Sequence, residues 1–180
     1  MMFTEPIVFL IALYAALVYG LLFIFFLAYP LVFGPIYGFS VGSRGLAFIG
    51  IGLGTITGNI SFVYLFKFFS LKPAFKDIQN ALLGPVMIAV FVLPSSLFWF
   101  GWTARPSIHW IVPILAGFPF GVSIMLIVNG LAVYLGSTYQ QYAASAFAVN
   151  SWMRYTFAAA FPLFANQSMG SLTLFFGDRD

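Results

Sequence analysis

The sequence predicts an all-α membrane protein of about five transmembrane helices, and three observations carry the prediction. Of the 180 residues, 62% are hydrophobic and only 6% charged, against about 25% charged in a soluble domain. The mean hydropathy is +1.04. The apolar residues also fall in long uninterrupted runs, each near the ~20 residues that a helix needs to cross about 30 Å of hydrocarbon. A chain this poor in charge cannot solvate its own surface in water.

The first run covers about residues 6–29, with Thr4 placed to cap the helix and Pro6 in its first turn, where the missing N–H costs nothing. It is expected to end at Pro30. The second covers about 45–66, the third 81–102, the fourth 108–135 and the fifth 142–165. No soluble domain fits between them, so residues 1–180 read as one transmembrane domain. The third and fourth runs form a hairpin over residues 94–121, broken at Thr103-Ala104-Arg105-Pro106-Ser107. Pro106 disfavours helical geometry at Arg105, and Ser107 is a candidate cap for the helix that follows. Trp99, Trp102 and Trp110 crowd this turn, as amphipathic rings do at the headgroup level. Residues 171–176 start a further apolar run that stops short of a sixth crossing, the expected look of a truncated product.

Composition removes several function classes. Cysteine is absent and histidine occurs once, so no disulfide framework, thiolate nucleophile or usual metal cluster can be built, and no cofactor is expected. The net charge of +3 is scattered among loops and ends, which describes membrane topology and argues against a nucleic-acid surface. Lys67, Lys72 and Lys76 share one loop, while Arg44, Arg105 and Arg179 fall on the opposite side. The clustered lysines place their loop in the cytoplasm. The N-terminus lacks the cationic start of a signal peptide.

Three motifs have simpler explanations than chemistry. Gly50, Gly52, Gly54 and Gly58 suggest a dinucleotide loop, but no strand precedes them and no acidic residue follows at the required distance. Inside an apolar run, the four-residue spacing of Gly50, Gly54 and Gly58 instead lines up a smooth face for close helix packing. The stretch Gly38-Phe39-Ser40-Val41-Gly42 matches G-x-S-x-G, with His109 on the same side of the membrane. A serine hydrolase would need a strand–turn–helix elbow and an orienting carboxylate; no such strand precedes Ser40 and the loops offer no acid on that side before Asp178, so this reading stays remote and no enzyme is expected. Two Asn-x-Ser sequons, at Asn59 and Asn166, lie within or close to the bilayer and read as chance.

Arg154 is the informative residue. It stands about twelve residues into the fifth run, with Asn150 one turn earlier on the same face. A cation at that depth is costly in lipid and should face protein or a watery cavity. No run contains Asp or Glu. Other polar groups within runs are Tyr14, Tyr19, Asn59, Ser61, Ser123, Asn129 and Ser145. Together with Phe25 and Trp102 they suit a cavity for a largely apolar, partly cationic molecule.

The sequence also resembles the C-terminal half of the major facilitator superfamily, in particular its fungal drug:proton antiporter branch of polyamine and multidrug exporters. The matching pieces run in family order. Glu5-Pro6, Leu13-Tyr14 and Tyr19-Gly20 are similar to the start of the seventh helix. Pro30-x-Val32-Phe33, Gly38-Phe39-Ser40-x-Gly42 and Gly45-Leu46 are similar to its exit and the next loop. Residues 98–103 and His109-Trp110-Ile111-Val112-Pro113, then Pro119-Phe120-Gly121, resemble the turn between the ninth and tenth helices. The most specific piece is Tyr142-Ala143-Ala144-Ser145-Ala146 with Asn150, Arg154 and residues 159–165.

The resemblance implies helices seven to eleven of that fold, truncated, with the N-terminal half and the twelfth helix lying outside this sequence. It also implies a multi-pass plasma-membrane protein that takes part in proton-driven efflux of small cationic or amphipathic compounds, with Tyr14, Tyr19, Asn59, Asn129, Asn150 and Arg154 lining or bracing the cavity. Its partners would be the bilayer, a small-molecule substrate, protons and the N-terminal half, with no nucleic acid. The alternative is a truncated membrane protein that does not transport and only associates with others.

Overall fold

A computed structural model describes the backbone of residues 6–71, 78–138 and 143–176, and the side chains of residues 8–71, 80–138 and 143–161. Among the described residues there are five long helices, one short helix and no strand: α1 Pro6–Phe33, α2 Val41–Ala47, α3 Ile49–Ser70, α4 Ile78–Thr103, α5 Ile111–Thr138 and α6 Ala143–Phe176. Four segments are long and apolar enough to cross a membrane: Val8–Phe33, Val41–Ser70, Asn80–Thr103 and Ile111–Thr138. The described part of α6 is less apolar, because Asn150, Ser151, Arg154 and Thr156 interrupt it. Thr4, Glu5, Lys72, Lys76, Tyr142 and Arg179 lie outside the described residues.

Helix α1 continues through Pro30, where the sequence predicts its end. Pro30 has no N–H to give to the preceding turn, but its own carbonyl accepts from Gly34 N at 3.0 Å, and buried helices tolerate such a gap. The helix ends at Phe33, and the turn that follows closes at Gly38, whose φ of 64° lies in the left-handed region open to glycine. The second span is divided at Phe48, whose N–H reaches back three residues to the Gly45 carbonyl at 3.2 Å, the tight turn that bends a helix. Ser40 caps α2, accepting from Ser43 N at 3.4 Å.

Between α4 and α5 the chain turns at Arg105-Pro106-Ser107-Ile108, closed by Ile108 N donating to the Arg105 carbonyl at 3.1 Å. Pro106 holds the second position that its ring geometry favours. The cap of α5 is His109 instead of the expected Ser107, since the helix starts at Ile111 and Ile111 N donates to His109 Nδ1 at 3.4 Å. Residues 171–176 continue α6 and do not open a new run.

The described chain divides into two compact units, Tyr29–Phe147 and the pair Met1–Ala28 with Ala148–Asp180. In the first of these, α3 and α5 run parallel and in step. A Cβ added at Gly50 would lie 2.5 Å from the Ile114 carbonyl oxygen, one at Gly54 would collide with that of Phe118, and one at Gly58 would meet Val122 Cα at 3.0 Å. From the facing side, a Cβ at Gly121 would lie 2.6 Å from the Ile51 oxygen. Glycine lets the backbones approach where lipid supplies no hydrophobic drive. The other side of α3 exposes Leu53, Ile56, Ile60 and Val63, an apolar face suited to acyl chains. Antiparallel α4 packs on α5 through Gly130 against Val86.

The second unit pairs α1 with α6 by the same device. Ala12 and Ala16 are fully buried with Met153, flanked by Phe9, Val149 and Phe157. One turn beyond Ala16, a Cβ at Gly20 would lie 2.8 Å from the Phe161 ring. The contacts climb both helices together, so α1 and α6 are parallel here.

Candidate functional site

Each predicted cavity residue sits on one of these two helix pairs. In the α1–α6 unit, the Arg154 guanidinium carbon stands 4.5 Å from the centre of the Tyr19 ring, a cation–π contact. Arg154 is half-buried, and its Nε is buried with no hydrogen bond among the described residues. Asn150, one turn earlier on the same face of α6, is 4% exposed, and its Oδ1 is likewise unbonded among the described residues. Tyr14 is half-buried. Counting from Ala143 at ~1.5 Å per residue, Arg154 stands about 17 Å along α6, near mid-depth of a ~30 Å core if the helix starts at the interface.

In the α3–α5 unit, Asn129 Nδ2 donates to Asn59 Oδ1 at 2.7 Å, and Asn59 Nδ2 donates to the Thr55 carbonyl at 3.0 Å. The two asparagines thus bond each other across the glycine-lined interface. Ser123 is fully buried and returns its hydroxyl to the Phe120 carbonyl at 2.8 Å, local back-bonding without outward chemistry. Ser145 is exposed.

Three features escaped the sequence reading. The first is the small-residue stripe Ala12, Ala16, Gly20, which has the same four-residue spacing as the glycines of α3 but was hidden because alanine is common in any apolar helix. The second is Tyr37, whose hydroxyl donates to the Arg105 carbonyl at 2.9 Å and reaches that of Thr103 at 3.3 Å. It ties the segment after α1 to the α4–α5 turn, and no local pattern marks such a long-range bond.

The third is an aromatic stack at the same end. Tyr29 lies parallel to Phe100 at 5.2 Å, with Phe48 at 5.0 Å and Phe33 at 5.2 Å from it, and Phe39 meets Trp110 edge-on at 5.7 Å. The three tryptophans of the hairpin are exposed, Trp102 by 68%. Ser40 and His109 are both absorbed locally: the serine hydroxyl bonds Ser43 at 3.1 Å, and the histidine serves α5.

No protein-family model and no solved structure matches the chain. Curated proteins do. The chain is 43% identical over 167 residues to the major facilitator superfamily multidrug transporter mdrA of Aspergillus fumigatus, an alignment covering 91% of this chain and 28% of that protein. It is 39% identical over 175 residues to efflux pump FUB11 of Gibberella moniliformis, covering 96% and 30%. To multidrug transporter FLR1 of Candida glabrata it is 41% identical over 178 residues, covering 96% and 31%. The chain thus spans about three-tenths of the length of the relatives it matches.

Proposed function

This chain is homologous to a segment of the fungal major facilitator superfamily multidrug transporters and efflux pumps, an integral membrane protein, and from this we propose that it forms part of the wall of a small-molecule exporter in the plasma membrane. The observation that carries the reading is the extent of the similarity, 91–96% of the chain. The geometry is consistent with it: parallel helices joined through small residues, with polar groups set at mid-depth in otherwise apolar surroundings. Taken pair by pair, Tyr14, Tyr19, Asn150 and Arg154 of α1–α6, and Asn59 and Asn129 of α3–α5, are the polar residues that line or brace the path of the cargo. The cargo is a small amphipathic compound, cationic ones included. Export is driven by proton influx. No Asp or Glu lies in the described helices, so the proton relay belongs to other parts of the transporter, and the two halves alternate access by moving against each other.

The test is a hybrid in which this chain replaces the matching segment of mdrA in a drug-sensitive yeast. Export of a fluorescent amphipathic dye should be retained, and both Arg154→Ala and Asn150→Ala should reduce it at equal surface expression. Undiminished export in both variants would remove these residues from the cavity. The alternative of a subunit that merely associates drew on the glycine face of α3 and on residues 171–176; in the structure Gly50, Gly54 and Gly58 pack against α5, and residues 171–176 continue α6.

A further inference from the structure

Arg154 presents a charge that no described residue neutralises. All four acidic residues, Glu5, Asp77, Asp178 and Asp180, fall outside the described helices. The ring of Tyr19 covers the guanidinium at 4.5 Å, which offsets part of the desolvation cost but satisfies no N–H. Among the described residues its Nε is buried without a hydrogen bond, and the 4%-exposed Asn150 presents a carbonyl oxygen in the same condition one turn away. An unmet donor and an unmet acceptor thus share one face of α6, and each is expensive to leave unmade in a low-dielectric interior.

We propose that Arg154 and Asn150 form a receptor for one carboxyl group supplied from outside this chain's own spans. Carboxyl oxygens accept from the guanidinium side-on, where Nε and a terminal nitrogen offer two parallel donors. In its protonated form the same group donates its O–H to Asn150 Oδ1, so one ligand meets both requirements. A cationic group at this point would meet like charge and leave Nε unmet. The inference rests on the reading of these helices as cavity wall, and it names the chemistry that this stretch of wall takes. The carboxyl has two sources: an acidic side chain in the larger part of the transporter that lies beyond the matched segment, or the carried molecule itself.

The chain is labelled with 15N-arginine in lipid nanodiscs, and the Nε–H resonance of Arg154 is identified by its loss in Arg154→Lys. Titration with sodium benzoate at neutral pH should shift that resonance downfield and saturably and leave the other arginines unmoved; in a repeat at a pH low enough to keep the carboxyl protonated, the binding should be weakened about fivefold by Asn150→Ala, the effect of one hydrogen bond. An absent response, an equal response to benzamide, or a low-pH response indifferent to Asn150→Ala would overturn the proposal. The same resonance in the mdrA hybrid separates the sources. A peak already displaced and insensitive to benzoate identifies an internal acidic side chain, and a peak that still responds identifies the carried molecule. If the hybrid exports nothing while the Nε response persists, the transport reading fails and the receptor stands. Export with no Nε response has the opposite meaning.

Discussion

Replacing Gly54 by alanine tests the parallel α3–α5 contact at its tightest point. The new Cβ would overlap the Phe118 carbonyl oxygen and lie 3.1 Å from that carbonyl carbon and 3.2 Å from Gly121 Cα. These neighbours are backbone and cannot rotate away. An ordinary carbon–oxygen contact needs about 3.3 Å, so the helices must separate by roughly 1 Å along several turns. Overpacking of this kind costs about 1–3 kcal/mol, while alanine recovers about 1 kcal/mol of helix propensity. Gly52, two residues away, has open space where its Cβ would go, so Gly52→Ala gains propensity alone. The difference between the two variants is therefore about 1–3 kcal/mol, with Gly54→Ala the less stable. Equilibrium unfolding in mixed detergent micelles, followed by tryptophan fluorescence, measures it. Equal midpoints for the two variants would refute the close approach of these helices.

Other substitutions probe the remaining contacts. The Asn59–Asn129 bond of 2.7 Å should give a coupling of about 0.6 kcal/mol in a double-mutant cycle of alanine substitutions, the usual size for such bonds in membranes; zero coupling means that the pair is not bonded in the bilayer. Tyr19→Phe should keep the stability of the chain, because the ring that Arg154 covers remains, whereas Tyr19→Leu should cost about 1 kcal/mol by the same unfolding assay. Tyr37→Phe removes the hydroxyl that bonds the Arg105 carbonyl at 2.9 Å and should cost about 1 kcal/mol, with faster amide hydrogen exchange across residues 103–108.

Much of the fold was legible because a bilayer constrains sequence in a simple way: each span must be long, apolar and internally bonded. Five long helices stand where the hydropathy runs lie. Their ends were less legible. Pro30 was read as a stop, yet a helix continues past proline when its own carbonyl still finds a donor, here Gly34. Ser107 was read as a cap, yet the turn that Pro106 nucleates consumes one more residue and hands the role to His109. Residues 171–176 were read as a new run because a hydropathy pattern does not show where one helix flows into the next.

The candidate site divides along the same line. Arg154 and Asn150 were visible in the sequence, since a charge and an amide one turn apart in an apolar run violate the membrane rule wherever they point. Gly50, Gly54 and Gly58 were visible as a packing face for the same periodic reason. Which helix that face meets was not: any of the others offered apolar surface, and only the tertiary structure selects α5, in parallel and in step. Likewise Tyr19 and Arg154 lie far apart in the chain, and their contact exists because Ala12, Ala16 and Gly20 let α1 approach α6. Composition and periodicity are properties of single helices, and they determine that this chain spans a membrane and where. Pairing is a property of two surfaces, decided by which small residues allow two backbones to meet, and it is pairing that turns scattered polar side chains into a site.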